Sequence, residues 1–515
     1  MKLMTKISFI ILLLSLTSGF THLEFSNSEK QFPCIDSIER LNYKIQNENS
    51  LVPTRNTIST PVKSIHSNMI TKHSQDNNQI KSGENRSFWA CNLETSEYYQ
   101  LNASILAEGE HSCIYMEEDC IRELGESYAI EQAENLKNEF DQVIFPSITN
   151  LAGHPNGTLG DIDNDPRIVI LLSRNHANYY SQVNEIIHAF SNQCEMFYIY
   201  YRMFERDWFF PTIAHEFHHL IWFNNEMDEP PFTLEALAQY ATYHAGYLDP
   251  YNNIVPHATW FFPHPEDSPL YVSSNIDYGS GYLFAFYIAE HYGVNILREL
   301  IKEPSDGPHG IETTLQDAGY NITFNELYLN WITALTIDET GFQNKLYGFE
   351  GIDARMTSYE SVYEFPYLSG MISLNSYGFH IHKIDSPPDN FLVQIEKSAV
   401  HVIGVSLAVR DKFGWQVQKT LHDEGHSKII EGFKGNLIEE AYLIISYMLA
   451  ETPIAPMERG LECPSTEIKI SILEGQIQSS QSSVSTVSSP GFRIIIVISS
   501  LIFGILCLRN RKNLR

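Results

Sequence analysis

The sequence predicts an α+β domain, then a β-sandwich-like domain, with a C-terminal transmembrane helix. Three observations predict this order. Strand-like and helical segments occupy residues 87–345. From Tyr367 to Leu473 the chain changes to β-branched runs separated by turns. Near the end, an apolar run from Ile494 to Leu508 precedes a basic tail.

Residues 1–20 carry the pattern of a secretory signal peptide. Lys2 and Lys6 precede an apolar run from Ile7 to Leu16, and small and polar residues follow. This ten-residue run is too short to span a bilayer. We therefore expect export, with residues 21–86 as a polar linker or pro-segment without a core of its own.

The next part of the chain opens with strands and continues with helices. Alternating apolar positions, interrupted by a turn at residues 108–110, predict two strands. The segment 128–148 has the apolar spacing of a helix, and Ile168–Leu172 predicts a buried strand. Helical patterns return after residue 209 and extend to about residue 345.

Three aspartates stand before that buried strand. Asp161, Asp163 and Asp165 alternate as oxygen ligands do in calcium loops. The segment lacks the glycine and the distal glutamate of an EF-hand, which excludes that motif. Two interpretations stay open: a structural Ca²⁺ site, and an Asx-rich turn that leads into the strand, which we favour.

Residues 215–219, HEFHH, satisfy the pattern HExxH. On a helix, residues i and i+4 share a face, so His215 and His219 can bind one metal ion. Glu216 would then lie beside a zinc-bound water, where a glutamate acts as general base. The apolar residues on both sides would place this helix in the core, with the histidines at a cleft. The sequence therefore predicts a catalytic zinc site.

The intervening histidine, His218, is a further candidate ligand. It lies three residues from His215, which is also close to one helical turn. We expect it to support a ligand or to face solvent, because the i, i+4 pair plus a third ligand from elsewhere is the established geometry.

A catalytic zinc site needs a third protein ligand. In the metzincin pattern, the glycine and the third histidine would fall on Trp222 and Asn225, so that class is excluded. Asp277 would serve in an aspzincin, but the residues around it do not match that motif. Glu235 is preferred because it lies among apolar residues in a predicted helix, "TLEALAQYATYHAG". The alternative for Glu235 is a surface carboxylate.

These residues carry a resemblance to a known family. "HEFHHLI" followed by "LEALAQYA" resembles the gluzincin arrangement. The region from Phe88 to Gly293 is similar to hyicolysin-type secreted zinc metallopeptidases, with "FWACNLETSEYYQLNASIL", "HSCIYME", "GDIDNDPRIVILL", "TIAHEFHHLI" and "LEALAQYA" in the expected order. The resemblance implies a zincin-like metallopeptidase domain over residues 87–345. It also implies His215, His219 and Glu235 as zinc ligands and Glu216 as the catalytic base.

The chain departs from that family pattern in three ways. His218 stands where such families often have glutamine, and Ala236 replaces the usual glycine after the glutamate. The gap from His219 to Glu235 is shorter than in most gluzincins. These departures bear mainly on Glu235.

Hydrolysis also needs a donor for the developing oxyanion. Tyr278, in "YGSG", resembles the tyrosine that plays this role in aminopeptidase-like gluzincins. Tyr282 and His244 are rival candidates for the same role.

The C-terminal part of the chain divides by composition. Residues 346–475 form the predicted β-rich domain, and residues 476–490 form a Ser/Thr-rich stalk. Residues 491–515 combine the apolar run with basic residues, which is the pattern of a stop-transfer membrane anchor. The preceding Pro490-Gly491-Phe492 resembles the C-terminal sorting signals that archaeal exosortases process. Six of the seven cysteines lie in the exported part, where disulfides among some of them are expected.

Together these patterns predict a cell-surface zinc endopeptidase, exported and anchored at the extracellular face of the membrane. Its expected cofactor is Zn²⁺, with Ca²⁺ as a candidate structural ion, and its expected partners are protein or peptide substrates. The net charge of −29 argues against nucleic-acid binding, which needs clustered basic residues. The alternative function is that of a surface adhesion or binding protein on an inactive peptidase scaffold. A second enzymatic alternative is an aminopeptidase.

Overall fold

The computed structural model describes residues 85–93, 95–156, 161–226, 229–247, 261–266, 275–397, 402–422, 428–434, 438–448 and 464–475. The predicted signal peptide, the linker up to residue 84, the stalk and the membrane anchor lie outside these residues. Among the described residues, no helix is both long enough and apolar enough to cross a membrane. The described chain is a mixed α/β protein, as the sequence predicts.

The first half contains a six-stranded sheet in the order β1-β2-β3-β4-β6-β5. Its strands are β1 (Arg86–Asn92), β2 (Glu97–Glu108), β3 (Ser112–Glu117), β4 (Ile168–Ser173), β5 (Tyr179–Tyr180) and β6 (Met196–Tyr200). The first three strands are antiparallel, whereas β4 pairs in parallel with β3 and β6. All residues of β4 are buried, which explains its continuous apolar sequence. The short β5 is antiparallel to β6 and forms one edge of the sheet.

Helices supply most of the remaining first half. They are α1 (Glu118–Leu124), α2 (Glu126–Glu139), α3 (Phe145–Ala152), α4 (Phe209–Asn225), α5 (Pro231–His244), α6 (Asn275–Tyr292), α7 (Val294–Leu300), α8 (Gly307–Asp317) and α9 (Phe324–Ile337). A short π-helix at Phe140–Ile144 joins α2 to α3. Short 3₁₀ helices occur at Gln182–Glu185, Tyr201–Glu205 and Gln343–Lys345.

The second half contains two five-stranded sheets. Its strands are β7 (Glu360–Val362), β8 (Tyr367–Leu368), β9 (Ile372–Asn375), β10 (Phe379–Asp385), β11 (Asn390–Lys397), β12 (Val402–Asp411), β13 (Gly414–His422), β14 (Lys428–Lys434), β15 (Ile438–Met448) and β16 (Ser465–Glu474). One sheet has the order β13-β12-β15-β10-β7, and the other has β14-β11-β16-β8 with β9 also paired to β16. Alternate residues from both sheets, such as Leu443 and Ile470, meet in one apolar core.

The helix α9 connects the two halves through a shared core. A capping box between Thr323 and Glu326 sets its start. Its buried residues belong to the same apolar cluster as Trp222 of α4 and Ile444 of β15. On the sheet side, the Thr333 hydroxyl donates to or accepts from the Ser406 hydroxyl at 2.8 Å. The domain boundary near residue 345 stays a prediction, but the apolar core is continuous across it.

Candidate metal centre

The helix α4 positions the HExxH residues. Most of its apolar side chains are buried in the main core, and Phe217 and Trp222 are fully buried. This burial holds the helix against the six-stranded sheet and α3. His215 and Glu216 are also buried, with exposed fractions of 6% and 3%. The helix and the burial that the sequence predicts for this motif are therefore present.

The next helix, α5, carries Glu235. Pro231 stands in its first turn, where the missing N–H has no helical partner to lose. The helix packs against α4 and α6. Glu235 is 2% exposed, so the interpretation of Glu235 as a surface carboxylate is wrong. Such burial of a carboxylate is costly unless a cation or a hydrogen-bond donor compensates its charge.

The three predicted ligands converge. Glu235 Oε2 lies 3.1 Å from His215 Nε2 and 3.6 Å from His219 Nε2. The two Nε2 atoms lie 3.0 Å apart. Each residue therefore presents one donor atom to a common point, and the three atoms lie within 4.8 Å of one another.

The electrostatics of the centre match a cation site. Burial alone would raise the pKa of Glu235, but the charges and hydrogen bonds of His219 and His215 overcome this and hold it at about 2. Burial opposes the charged form of His219, whereas the Glu235 carboxylate raises its pKa. The centre thus holds an ionised carboxylate beside two imidazole nitrogens, which is the donor set of a two-histidine, one-glutamate zinc site.

Glu216 is held by the edge of the sheet. Its Oε2 accepts a hydrogen bond of 2.8 Å from the backbone N–H of Tyr180 in β5. Burial raises the pKa of Glu216 above its ordinary value, and electrostatic interactions with His215 and His219 oppose that rise. A carboxylate with a raised pKa suits proton transfer near neutral pH. Sequence reasoning missed Tyr180, because a backbone amide on a two-residue strand leaves no sequence signal.

Tyr278 lies in the first turn of α6 and is 7% exposed. The helix α6 packs closely along α5 next to Glu235. At Gly281 an added Cβ would lie 3.1 Å from the Cβ of Ala236. Glycine at position 281 thus permits a close contact between α6 and α5. The methyl group of Ala236 leaves little room for a side chain at position 281. Of the two rivals, Tyr282 is 1% exposed and its ring contacts Tyr243, whereas His244 is half-buried and its ring stacks on Tyr240.

His218 does not face solvent. It is fully buried, its ring lies 5.8 Å from that of Trp222, and burial lowers its pKa well below the ordinary value. The solvent-facing interpretation is therefore wrong. The apolar surroundings explain the error, because α4 is buried on almost every side and has no solvent-exposed face at His218.

The three aspartates of residues 161–165 do not form one group of ligands. Asp165 accepts from the Arg167 side chain, and Asp163 and Asp165 each accept from the backbone N–H two residues ahead. These are the contacts of Asx turns. Asp161 and Asp163 instead come within 4.8 Å of a glutamate outside the motif, Glu195.

Glu195 is 2% exposed, and burial raises its pKa to about 8. Its Oε1 accepts from the backbone N–H of Ile162 at 2.9 Å. Its Oε2 is buried and has no hydrogen-bond partner among the described residues. Sequence reasoning missed Glu195, although the pairing of β4 with β6 brings together the segments that precede these strands.

The cysteines of the described region contain no disulfide. Cys91, Cys113, Cys120 and Cys194 are free and buried. Burial raises the pKa of Cys91 to about 11 and that of Cys113 to about 12, so both stay as thiols at neutral pH. Cys34 and Cys463 lie outside the described residues.

In comparisons with known proteins, no family model matches the chain, and no curated protein matches it either.

Proposed function

We propose that this protein is a zinc-dependent peptidase of the cell surface. The observation that carries the proposal is the convergence of His215 Nε2, His219 Nε2 and Glu235 Oε2 on one point. Two histidines and one glutamate are the protein ligands of many catalytic zinc ions, which keep a further position open for substrate or water. We also propose that the surrounding sheet and helices form a zincin-like domain.

The donor set fits zinc. His215 and Glu235 are buried and the His219 side chain is 11% exposed, and an ionised carboxylate in such a place requires positive charge. Zinc bound there supplies a Lewis acid that polarises a peptide carbonyl and makes water more acidic. The chain's own residues then position the proton acceptor and the substrate.

Glu216 is the proposed general base. The Tyr180 N–H engages its Oε2, so we assign proton transfer to Oε1. Its location directly after His215 in α4 keeps the carboxylate beside the converging donors without making it one of them. The raised pKa of Glu216 lets it return that proton to the leaving amine near neutral pH.

Tyr278 is the proposed donor to the oxyanion. It lies in the first turn of α6, the helix that packs on α5, which carries Glu235. A phenol hydroxyl can donate to developing negative charge without itself losing its proton. Replacement of Tyr278 by phenylalanine is expected to lower kcat and leave zinc binding intact.

A structural calcium ion is proposed at a second location. Asp161, Asp163 and Glu195 form an oxygen-only donor group, in which Oε2 of Glu195 has no hydrogen-bond partner from the described part of the chain. Oxygen ligands of this kind select Ca²⁺ over Zn²⁺. This ion would hold the segment before β4 against the segment before β6.

The cellular location of the protein is proposed from the sequence. The signal-like N-terminus and the apolar, basic C-terminus favour export and attachment to the outer face of the membrane. In that setting the substrates would be external proteins or peptides.

The proposal is tested with the purified full-length chain. Wild type and Glu216→Gln are compared for bound zinc and for cleavage of casein. We expect zinc in both proteins and cleavage only by the wild type. Wild type without zinc, or a variant that cleaves as fast, would refute the mechanism and favour an inactive binding protein. Peptides with blocked N-termini separate the two enzyme classes, because an endopeptidase cuts them and an aminopeptidase does not.

A further inference from the structure

Two histidines and a glutamate meet at the edge of one sheet of the second half. His380 and His382 alternate along β10, so both side chains point to the same face. The neighbouring strand β7 is parallel, and its Glu360 is in register with His382. One donor atom from each of these three residues lies within 4.8 Å of the others.

The environment of His382 is unusual for a histidine. It is fully buried, and neither ring nitrogen has a hydrogen-bond partner among the described residues. Its nearest acidic atom is Glu360 Oε2, at 3.9 Å from Nδ1, which is too long for a hydrogen bond. Nδ1 of His380 is likewise buried without a partner in the described chain. Buried polar groups left unsatisfied in this way destabilise the fold unless a ligand binds them.

We propose that Glu360, His380 and His382 form a second transition-metal site, separate from the His215 centre. A divalent ion with a preference for imidazole, such as Zn²⁺, would bind the ring nitrogens that hydrogen bonds leave unsatisfied. The pure-oxygen preference of Ca²⁺ and Mg²⁺ excludes those ions. Two ligands about 2 Å from a tetrahedral ion lie about 3.3 Å apart. The His382 and Glu360 atoms are 3.9 Å apart, so the exposed Glu360 side chain must move by about 0.6 Å to close on the ion.

The residues around the three donors support this assignment. The hydroxyl of Tyr367, on β8 of the facing sheet, donates to Glu360 Oε1. The Tyr367 ring packs edge-on against His382, with centroids 5.6 Å apart. Such outer contacts orient ligands in metal sites. The Glu360 side chain is 46% exposed, which leaves a route for an ion to enter.

A metal here would stabilise structure without taking part in hydrolysis. β7 has only three residues and lies at the sheet edge. An ion held by β7 and β10, next to β8 of the other sheet, would fasten both sheets at this end. The site does not depend on the proposed peptidase activity.

The experiment uses the full-length chain with excess Ca²⁺, so that oxygen-only sites are filled. A His215→Ala/His219→Ala variant removes the first centre, and bound zinc is then counted by mass spectrometry. About one equivalent of zinc is expected to remain. Co²⁺ in its place should give the visible absorption of a nitrogen-ligated ion.

Adding His380→Gln or Glu360→Gln to that variant should remove the remaining equivalent and the Co²⁺ absorption. The control is Glu364→Gln, an exposed carboxylate four residues away, which should keep both. If the double variant does not fold, single His380→Gln in the wild-type chain should lower bound zinc from about two equivalents to about one. A folded double variant without zinc, or zinc that survives both added substitutions, would overturn the proposal. Loss of casein cleavage in the double variant reports on the first centre alone, so the two proposals fail separately.

Discussion

The backbone N–H of Tyr180 donates a hydrogen bond of 2.8 Å to Oε2 of Glu216. This contact joins the sheet edge to the helix that carries the metal donors. It sets the position of the carboxylate through a backbone group, which side-chain substitutions at position 180 leave in place. Catalytic activity should therefore depend on the length of the side chain at position 216.

Shortening Glu216 by one methylene is expected to misplace the base. In Glu216→Asp the carboxylate cannot reach both the Tyr180 N–H and the reacting water. A displacement of about 1 Å costs roughly 100-fold in rate, so kcat for casein should fall by about that factor with bound zinc unchanged. The exposed Glu205 supplies the control, and Glu205→Asp should match the wild type. An unimpaired Glu216→Asp would show that another group accepts the proton.

Glu235→Gln tests the third ligand. The substitution keeps the shape of the side chain but removes the charge that faces His215 and His219. We expect zinc affinity to fall sharply, because a neutral amide is a poor zinc ligand. Titration with a competing chelator measures the affinity. Affinity equal to that of the wild type would mean that a different carboxylate completes the site.

Gly281→Ala tests the contact between α5 and α6. The new Cβ would lie 3.1 Å from that of Ala236, so the helices must separate by a few tenths of an ångström. Glu235 precedes Ala236, and this shift should lower zinc affinity and kcat together, with a destabilisation of about 1–3 kcal/mol. In the control, Gly370→Ala, the added Cβ meets open space. Equal zinc affinity in both variants would show that the helix contact does not affect the metal centre.

Calcium is expected to raise the thermal stability of the wild-type chain through Glu195. Binding to the folded state alone stabilises by about 2.7 kcal/mol at 100 times the Kd. Glu195→Gln should remove most of the calcium-dependent rise in Tm, whereas Asp165→Asn should retain it, because Asp165 is paired with Arg167. Scanning calorimetry with and without Ca²⁺ measures the difference. A rise that survives Glu195→Gln would place calcium elsewhere.

His291 should make stability depend on pH. Its Nε2 donates to the Gly348 carbonyl at 3.1 Å, and burial lowers its pKa from 6.5 to about 4. Between these values the unfolded chain binds a proton that the folded chain does not, so stability falls as pH drops from about 6.5 to about 4. The contribution is at most about 3 kcal/mol.

Urea titrations of wild type and His291→Gln at pH 7 and pH 4.5 test this. The variant should lose less stability between the two pH values, because glutamine can still donate to the Gly348 carbonyl without titrating. His264→Gln, which alters a well-exposed histidine, is the control. Identical pH profiles for wild type and His291→Gln would contradict the assignment.

The convergence of His215, His219 and Glu235 could be predicted because their geometry is largely local. The spacing of His215 and His219 places both on one face of a helix, and Glu235 stands in the next helix along the chain. The buried strand Ile168–Leu172 could be predicted from its apolar run, and it lies within β4.

The contacts that the sequence did not predict depend on pairing and packing between segments that are distant in the chain. Glu195 joins Asp161 and Asp163 only because β4 and β6 are parallel neighbours. The solvent-facing interpretation of His218 was wrong because the pattern of one helix does not show how many elements cover it. The partners of Glu360 likewise depend on the pairing of β7 with β10.

The continuous core around α9 has a consequence for how this chain can change in evolution. Twelve of its fourteen residues, from Phe324 to Ile337, are buried, and the helix packs against α8 on one side and β12 and β15 on another. A recombination break near residue 345 would therefore strip an apolar face instead of separating two modules. The half that contains α4 and α5 and the sheets that follow it are expected to be inherited, duplicated and lost together.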